Sequence, residues 1–511
     1  METSNNHTIV KNTLFLYLRM FLLMIIGLYT SRVLLATLGV VDFGLYNVIG
    51  SVIILTNVLT GSLSSAAVRY ISYYNETRNI EEQKQLFGNI LFIYILLAVV
   101  ILLFGETIGL WLVQEKLVIP SDRFYACMWV YQLSIFAAIV NVISMPYNSI
   151  IIAHERMSAF AYITIADVIL KLLIVYIVMY VSYDKLIVYA ILILFIQLLD
   201  RLFYGVYCVR NFEEVNVKPV YNKELFRKIF SFSGWVILGA LGFVGYTQGL
   251  NILLNMFFGP TVNAARAISV QVETKAKSFT ENFQVAVKPQ VIKNYASGNL
   301  QRVKELVFIS SKFSSYLVLA MALPVTLEAK QILSWWLVEV PNWTIEFVVI
   351  TFCIIAIRVL AEPLFQIIHA NGNIKTFQII EGCVLLMILP VGYISLKFGH
   401  VSPLFPYYIL LLFECIAQCI RMFFAFRYAN IVVKDYLKDV MAPIMKVLTI
   451  SLTLSIFLKA YLLSECSSII EICLSLFFVL ASSYLFGCSK SEKHKVQNRL
   501  KGMLGKYSIS W

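Results

Sequence analysis

Apolar runs of about twenty residues alternate along the chain with short polar segments, the pattern of successive helices each long enough to cross a hydrocarbon layer. Helices are expected near 14–36, 43–66, 87–112, 124–152, 159–181, 185–208, 229–256, 264–287, 305–327, 345–369, 376–396, 403–426, 440–460 and 466–487. The reading is an all-α integral membrane protein of about fourteen spans. The eighth helix stands apart because it is unusually polar. No segment between helices exceeds about 25 residues, so no extramembrane catalytic domain fits.

The polar segments orient the chain. With the N-terminus in the cytoplasm, the inside segments hold 24 Lys and Arg and the outside segments 6. That bias predicts a multi-pass protein of the cell inner membrane with both termini cytoplasmic. No cleavable signal peptide is expected, because Met1 to Val10 is polar and no small-residue cleavage site follows the first apolar run. Beyond Ser489, Val496, Leu500, Met503 and Leu504 alternate with Lys493, Lys495, Arg499 and Lys501. This reads either as an interfacial amphipathic helix or as a basic tail.

The chain also repeats itself. "LGVVDFGLYNVIGS" around Gly39 precedes "VRYISYYNETRNIEEQKQLF", and "FGPTVNAARAISV" around Gly259 precedes "KPQVIKNYASGNLQRVKELV". Gly39 and Gly259 are 220 apart, as are Asn79 and Asn299, and Lys84 and Lys304. "MPYNSIIIAHERM" likewise matches "EPLFQIIHANGNI", with Pro146 and Pro363 217 apart. The expected organisation is a six-helix lobe over 1–210, a cytoplasmic linker over 211–228, a second six-helix lobe over 229–428, and two extra helices with the tail over 429–511. A repeat of even helix number keeps both halves in one topology, a transporter design with the substrate between the halves. Pro146 and Pro363 fall inside helices, where each removes a backbone hydrogen bond. They read as fixed kinks or as paired hinges.

Charges at membrane depth cost roughly 2.5–3.5 kcal/mol each on insertion scales, so each is a functional candidate. Arg32 lies near the outer end of the first helix, where snorkelling to the headgroups is the plain alternative. Asp167 with Lys171, and Arg358 with Glu362, have the i,i+4 spacing that lets each pair neutralise itself on one helix face. Glu414 and Arg421 lie two turns apart and can pair with other helices. In the eighth helix Arg266, Glu273, Lys277, Glu281, Gln284 and Lys288 are spaced 7, 4, 4, 3 and 4, one stripe of a helix. Such a stripe lines water or another polar surface, or else the helix lies outside the membrane.

Composition narrows the classes further. The chain is 60% hydrophobic and 14% charged, with mean hydropathy +0.80, whereas a soluble domain carries roughly a quarter charged residues. The formal charge of +12 is spread around apolar runs rather than clustered, which argues against nucleic acid as a partner. The nine cysteines form no CxxC pair, so no metal or cofactor is expected.

The run "GLYTSRVLLATLGVVDFGLYNVIGSV", with six, six and two helices, resembles the polysaccharide-exporter branch of the multidrug/oligosaccharidyl-lipid/polysaccharide transporter superfamily. The resemblance covers essentially the whole chain. It implies two lobes in a V around a central cavity, and a flippase for an oligosaccharide on undecaprenyl pyrophosphate, an O-antigen or capsular repeat unit. In related flippases, arginines of helices 1, 2 and 8 hold the pyrophosphate. Arg32 and Arg266 fit by position, with Lys277 and Lys288 as additions, while helix 2 lacks an arginine until Arg69. Glu273, Glu281, Asp167, Lys171, Arg358 and Glu362 are candidates for lining the cavity or coupling to a cation. The implied partners are the lipid-linked oligosaccharide, membrane lipids and the polysaccharide polymerase machinery.

Two rival functions fit the sequence less well. A cation-coupled multidrug antiporter of the same superfamily wants an acidic residue in helix 1 or 7, and neither has one. A polytopic polymerase or ligase wants a large outer loop with catalytic residues. The longest outer segment, 328–344, offers Glu328, Lys330 and Glu339 but no histidine. Transport without bond-breaking is the expectation.

Overall fold

The computed structural model describes residues 2–54, 57–77, 79–154, 156–372, 374–399, 401–461, 468–490 and 492–494. Among them every regular element is helical. The first half holds α1 (Glu2–Ile54), α2 (Asn57–Thr77), α3 (Ile80–Phe104), α4 (Phe124–Ala153), α5 (Met157–Tyr180), α6 (Lys185–Asn211) and α7 (Lys223–Phe258). Then come α8 (Pro260–Ala296), α9 (Leu300–Leu327), α10 (Ala329–Trp336), α11 (Thr344–Arg358), α12 (Ala361–Asn371), α13 (Lys375–Leu386) and α14 (Ile388–Gly399). The last are α15 (Phe405–Ala429), α16 (Val433–Tyr436), α17 (Ala442–Tyr461) and α18 (Ser468–Ser482). The amphipathic stretch at Val496–Leu504 lies outside the described residues.

Among the described residues, eleven helical segments are long and apolar enough to cross a membrane. The chain is a multi-pass helical membrane protein. The expected spans 43–66, 229–256 and 264–287 are not among the eleven, so the count of fourteen rests on the sequence. Residues 55–56 of the first are not described, and the third is the polar stretch of α8.

The repeat is legible in the backbone. Gly39 has φ 79°, ψ 169° and interrupts α1, while Gly259 has φ 76°, ψ −173° and separates α7 from α8. This corner of conformational space is essentially closed to residues with a Cβ, so each half needs glycine at the same place. The asparagines 220 apart share a task as well. The Asn79 side chain caps α3 by accepting from the Glu81 and Glu82 amides, and Asn299 caps α9 by accepting from the Arg302 amide at 3.1 Å. The prolines differ. α4 runs unbroken through Pro146, whereas at Val359–Leu360 the helix tightens to a turn, the Leu360 amide donating to the Ile357 carbonyl, and Pro363 sits in the first turn of α12, where proline is tolerated.

Contacts gather the chain into two compact units. One comprises Met1–Ala267, Trp336–Trp343 and Leu386–Pro403; the other Ile268–Trp335, Thr344–Leu385 and Leu404–Trp511. In the first, a buried cluster of Leu45, Val48, Ile49, Cys127, Val130 and Tyr131 packs α1 beyond Gly39 against α4. Arg123, just before α4, grips two carboxylates: its Nε donates to Asp42 at 2.8 Å and its Nη1 to Asp184 at 2.6 Å. The segment after Gly39 also meets the one after Gly259. A Cβ on Gly44 would collide with the Pro260 carbonyl, and Asn251 Nδ2 donates to the Asn47 carbonyl at 3.4 Å. Asn251 is itself held by Asn263, whose Nδ2 reaches its carbonyl and its Oδ1 at 2.8 Å each.

Candidate functional site

The polar stripe of α8 does what its spacing predicts over four of its members. Within the second unit Glu273, Lys277, Glu281 and Gln284 line one cavity, together with Thr280 of the same helix and Ile355, Arg358, Val359 and Glu362. The cavity is small, about 40 Å³. The opposite wall is the interruption between α11 and α12. Pro363 has no N–H to give the Val359 carbonyl, and Gln284 Nε2 supplies a donor at 3.5 Å while also donating to Ser314 Oγ at 3.0 Å. Gln284 Oε1 is buried with no hydrogen-bond partner among the described residues.

Behind the cavity runs a chain of alternating charge across four helices. Arg358, at the end of α11, donates through Nη1 to Glu273 and through Nε to Glu414 at 2.7 Å. Glu414, 1% exposed, accepts from Arg421 Nη1 at 3.2 Å, and Arg421 Nε donates to Glu381 of α13 at 2.5 Å. The Arg421 guanidinium also lies 5.3 Å from the centre of the Phe365 ring, close enough for a cation–π contact. Charges this buried persist because each carboxylate and guanidinium is hydrogen-bonded to its neighbour.

This arrangement corrects one expectation. The i,i+4 spacing of Arg358 and Glu362 lets them pair on one helix face, but the structure does not pair them. Arg358 is instead held by two carboxylates from other helices, Glu273 and Glu414. Glu362 remains in the cavity lining. The other i,i+4 pair holds, with Lys171 Nζ 2.8 Å from Asp167. Lys277 also pairs, with Glu281 at 3.3 Å.

The remaining candidates lie elsewhere. Arg266 belongs to the first unit, 5% exposed, and donates through Nη2 to the Thr247 carbonyl of α7 at 2.8 Å. Arg32 is half-buried on α1 in that same unit, and Lys288 is exposed on α8 beyond the cavity lining. The cavity therefore brings together Glu273, Lys277, Glu281, Arg358 and Glu362. It does not include Arg32, Arg266 or Lys288. Among the described residues no group of His, Cys, Asp and Glu has the arrangement of a metal site.

Sequence reasoning missed two groups of contacts. The Arg123 grip joins residues 81 and 61 positions apart in sequence, for which no spacing rule exists. Glu381 gave no signal beyond being an acid in an apolar run.

A family model described as polysaccharide biosynthesis protein matches residues 9–330. The chain belongs to that family. Among solved structures it is similar to the lipid II flippase MurJ in an inward closed conformation, with a TM-score of 0.67 and 16% identity over 93% of this chain and 98% of that one. It is similar also to an inward-facing multidrug resistance MATE transporter of the MOP superfamily, with a TM-score of 0.66 and 14% identity over 81% of this chain and 97% of that one. A MOP superfamily transporter from Pyrococcus furiosus, whose structure is described as showing reversed polarity of its binding pocket, aligns at a TM-score of 0.51 and 13% identity, over 82% of this chain and 93% of that one. No curated protein sequence matches. The fold is thus that of the MOP transporters, as the family resemblance implied.

Proposed function

We propose that this protein is a flippase for a lipid-linked oligosaccharide, an O-antigen or capsular repeat unit on undecaprenyl pyrophosphate, moved across the inner membrane by alternating access. One observation carries the reading: a polysaccharide-biosynthesis family match over 9–330, in a chain that shares its fold over 93% of its length with a lipid II flippase. The lobes of this reading are residues 1–210 and 229–428. Arg32 and Arg266, both in the first unit, are its headgroup site. Guanidinium groups suit a pyrophosphate because they bind it bidentately through charge-assisted hydrogen bonds. No bond is broken. The protein lowers the barrier to carrying a polar head through hydrocarbon, and direction comes from a gradient or from consumption of the product by the polymerase machinery.

The cavity of the second unit supports an addition to this reading. Three carboxylates, Glu273, Glu281 and Glu362, face it against Lys277 and Arg358, a balance that suits a cation better than an anion. We read it as the place where a coupling cation or proton acts. Under the rival reading, a cation-coupled drug antiporter, it is the substrate side. In cells that depend on this protein for surface polysaccharide, Arg266→Ala is expected to trap the lipid-linked repeat unit on the cytoplasmic leaflet, with the protein still inserted at normal level. Arg266→Lys separates lost charge from lost packing against α7. Normal export by both variants would sink the headgroup assignment.

A further inference from the structure

The last helix of each repeated half carries a groove on its outer face. On α6 the groove is walled by Leu202, Val206 and Val209, with Gly205 at its floor and Arg201 and Arg210 along it. On α15 the lining includes Cys419, Met422, Phe423, Phe426 and Arg427. About 930 and 1050 Å³ of open space, respectively, lie in these grooves. Leu202, Gly205, Val206, Val209 and Arg210 correspond one by one to Cys419, Met422, Phe423, Phe426 and Arg427 at an offset of 217. That is the offset relating Pro146 to Pro363. The two grooves are therefore the same feature, kept in both halves although only the arginine is identical.

Each groove lies on a stripe that faces away from the protein. On α6 the exposed residues Phe195, Leu198, Leu202, Val206 and Val209 recur every three or four positions; on α15 Tyr408, Leu412, Ile416, Cys419 and Phe423 do the same. In a membrane-spanning helix such a stripe meets lipid. Arg210 and Arg427 are exposed in the last turn of their helices, and among the described residues neither has an ion-pair or hydrogen-bond partner. An arginine in the last turn also suits the helix dipole, but the dipole does not explain an apolar groove in register with it in both halves. In the first groove Arg201 adds charge, held with its guanidinium 3.9 Å from the Tyr147 ring centre and packed over Gly205.

We propose that these grooves are a pair of specific sites for an anionic phospholipid, one molecule to each, with the headgroup phosphate on Arg210 or Arg427 and an acyl chain in the groove. The placement is what a two-part ligand needs: an apolar channel along the helix, and a guanidinium where the helix leaves the hydrocarbon. By the charge bias of the chain, both arginines face the cytoplasmic leaflet. The sites are independent of what the protein transports.

Retention of dioleoyl phosphatidylglycerol and dioleoyl phosphatidylcholine by the purified full-length protein tests this, read by native mass spectrometry after release from detergent. A basic residue near an anionic lipid surface is worth about 1 kcal/mol, or about fivefold in affinity. Two phosphatidylglycerol molecules are expected to be held about fivefold more tightly than phosphatidylcholine. Arg210→Gln and Arg427→Gln each bring one phosphatidylglycerol down to the phosphatidylcholine level, and the double variant brings both. Arg210→Lys keeps its lipid. Val206→Trp, which fills the first groove and leaves every charge in place, loses one lipid, so loss by this lipid-facing variant cannot be assigned to misfolding from a lost arginine. Equal retention of the two lipids by the unaltered protein, or undiminished phosphatidylglycerol on the double variant or on Val206→Trp, would overturn the proposal. So would displacement of both lipids by equimolar undecaprenyl phosphate, which would make the sites carrier sites instead.

Discussion

Replacing Arg421 with glutamine is expected to damage the protein more than replacing Glu414, although Glu414 is the more deeply buried. The chain Glu273–Arg358–Glu414–Arg421–Glu381 holds three carboxylates and two guanidinium groups. Glu414→Gln leaves Glu273 with Arg358 and Glu381 with Arg421, a balanced set. Two charge-assisted hydrogen bonds become ordinary ones, at a cost of about 1 kcal/mol apiece and about 2 kcal/mol together. Arg421→Gln instead leaves three carboxylates on one guanidinium, with Glu381, only 9% exposed, no longer bonded to a cation. Stranding a buried charge costs about 3–5 kcal/mol, and the contact with Phe365 goes as well. Thermal unfolding in a mild detergent, followed by the loss of monomeric protein on size-exclusion chromatography, reads the order. Adding Glu381→Gln to Arg421→Gln is expected to restore most of the loss, because the two sites are directly coupled. Glu414→Gln as harmful as Arg421→Gln, or no restoration in the double variant, would refute the view that charge balance holds these helices together.

Other expectations follow from the same structure. Gly39→Ala and Gly259→Ala should each cost about 1–3 kcal/mol, because alanine cannot relax at those backbone angles, and Gly44→Val should prevent folding by colliding with Pro260; expression and thermal unfolding check both. Asn79→Ala and Asn299→Ala should each cost about 1 kcal/mol as lost helix caps, similar losses that reflect the repeat. Burial opposes ionisation of Glu214, but its hydrogen bonds from His154, at 2.6 Å, and from the backbone more than offset this and hold its carboxyl below the usual glutamate range. A lowered folded-state pKa contributes stability that is present above the ordinary value near 4.3 and is lost as pH falls through the folded one. Unfolding scans from pH 6 down to pH 3.5 should therefore show a steeper loss in the unaltered protein than in Glu214→Gln. Pro363→Ala returns an N–H beside the Val359 carbonyl and should slow export more than Pro146→Ala, since only the former lies at a helix break.

What could be read from the sequence was whatever obeys a period. The stripe Glu273–Lys277–Glu281–Gln284 recurs at the helical interval, the Gly39/Gly259 and Asn79/Asn299 correspondences recur at the interval between the halves, and each appears in the structure. The pairing of Arg358 with Glu362 failed because i,i+4 reasoning looks along one helix only, and carboxylates of two other helices, Glu273 and Glu414, take the arginine. Partners distant in sequence, such as Arg123 with Asp42 and Asp184 or Arg421 with Glu381, follow from tertiary packing and have no local signature. The acidic balance of the cavity was hidden for the same reason. All five of its lining charges stand out in the sequence, but which of them share a space is decided by how α8 meets the interrupted wall of α11 and α12.

The central claim is tested most directly by reconstitution. The purified protein is placed in liposomes carrying an undecaprenyl-pyrophosphate-linked oligosaccharide confined to the inner leaflet, and the appearance of sugar on the outer leaflet is followed with a membrane-impermeant lectin. The account predicts protein-dependent appearance of the sugar that is abolished by Arg266→Ala and retained in part by Arg266→Lys. Folded protein that leaves the oligosaccharide on its original leaflet while expelling a cationic dye would contradict it.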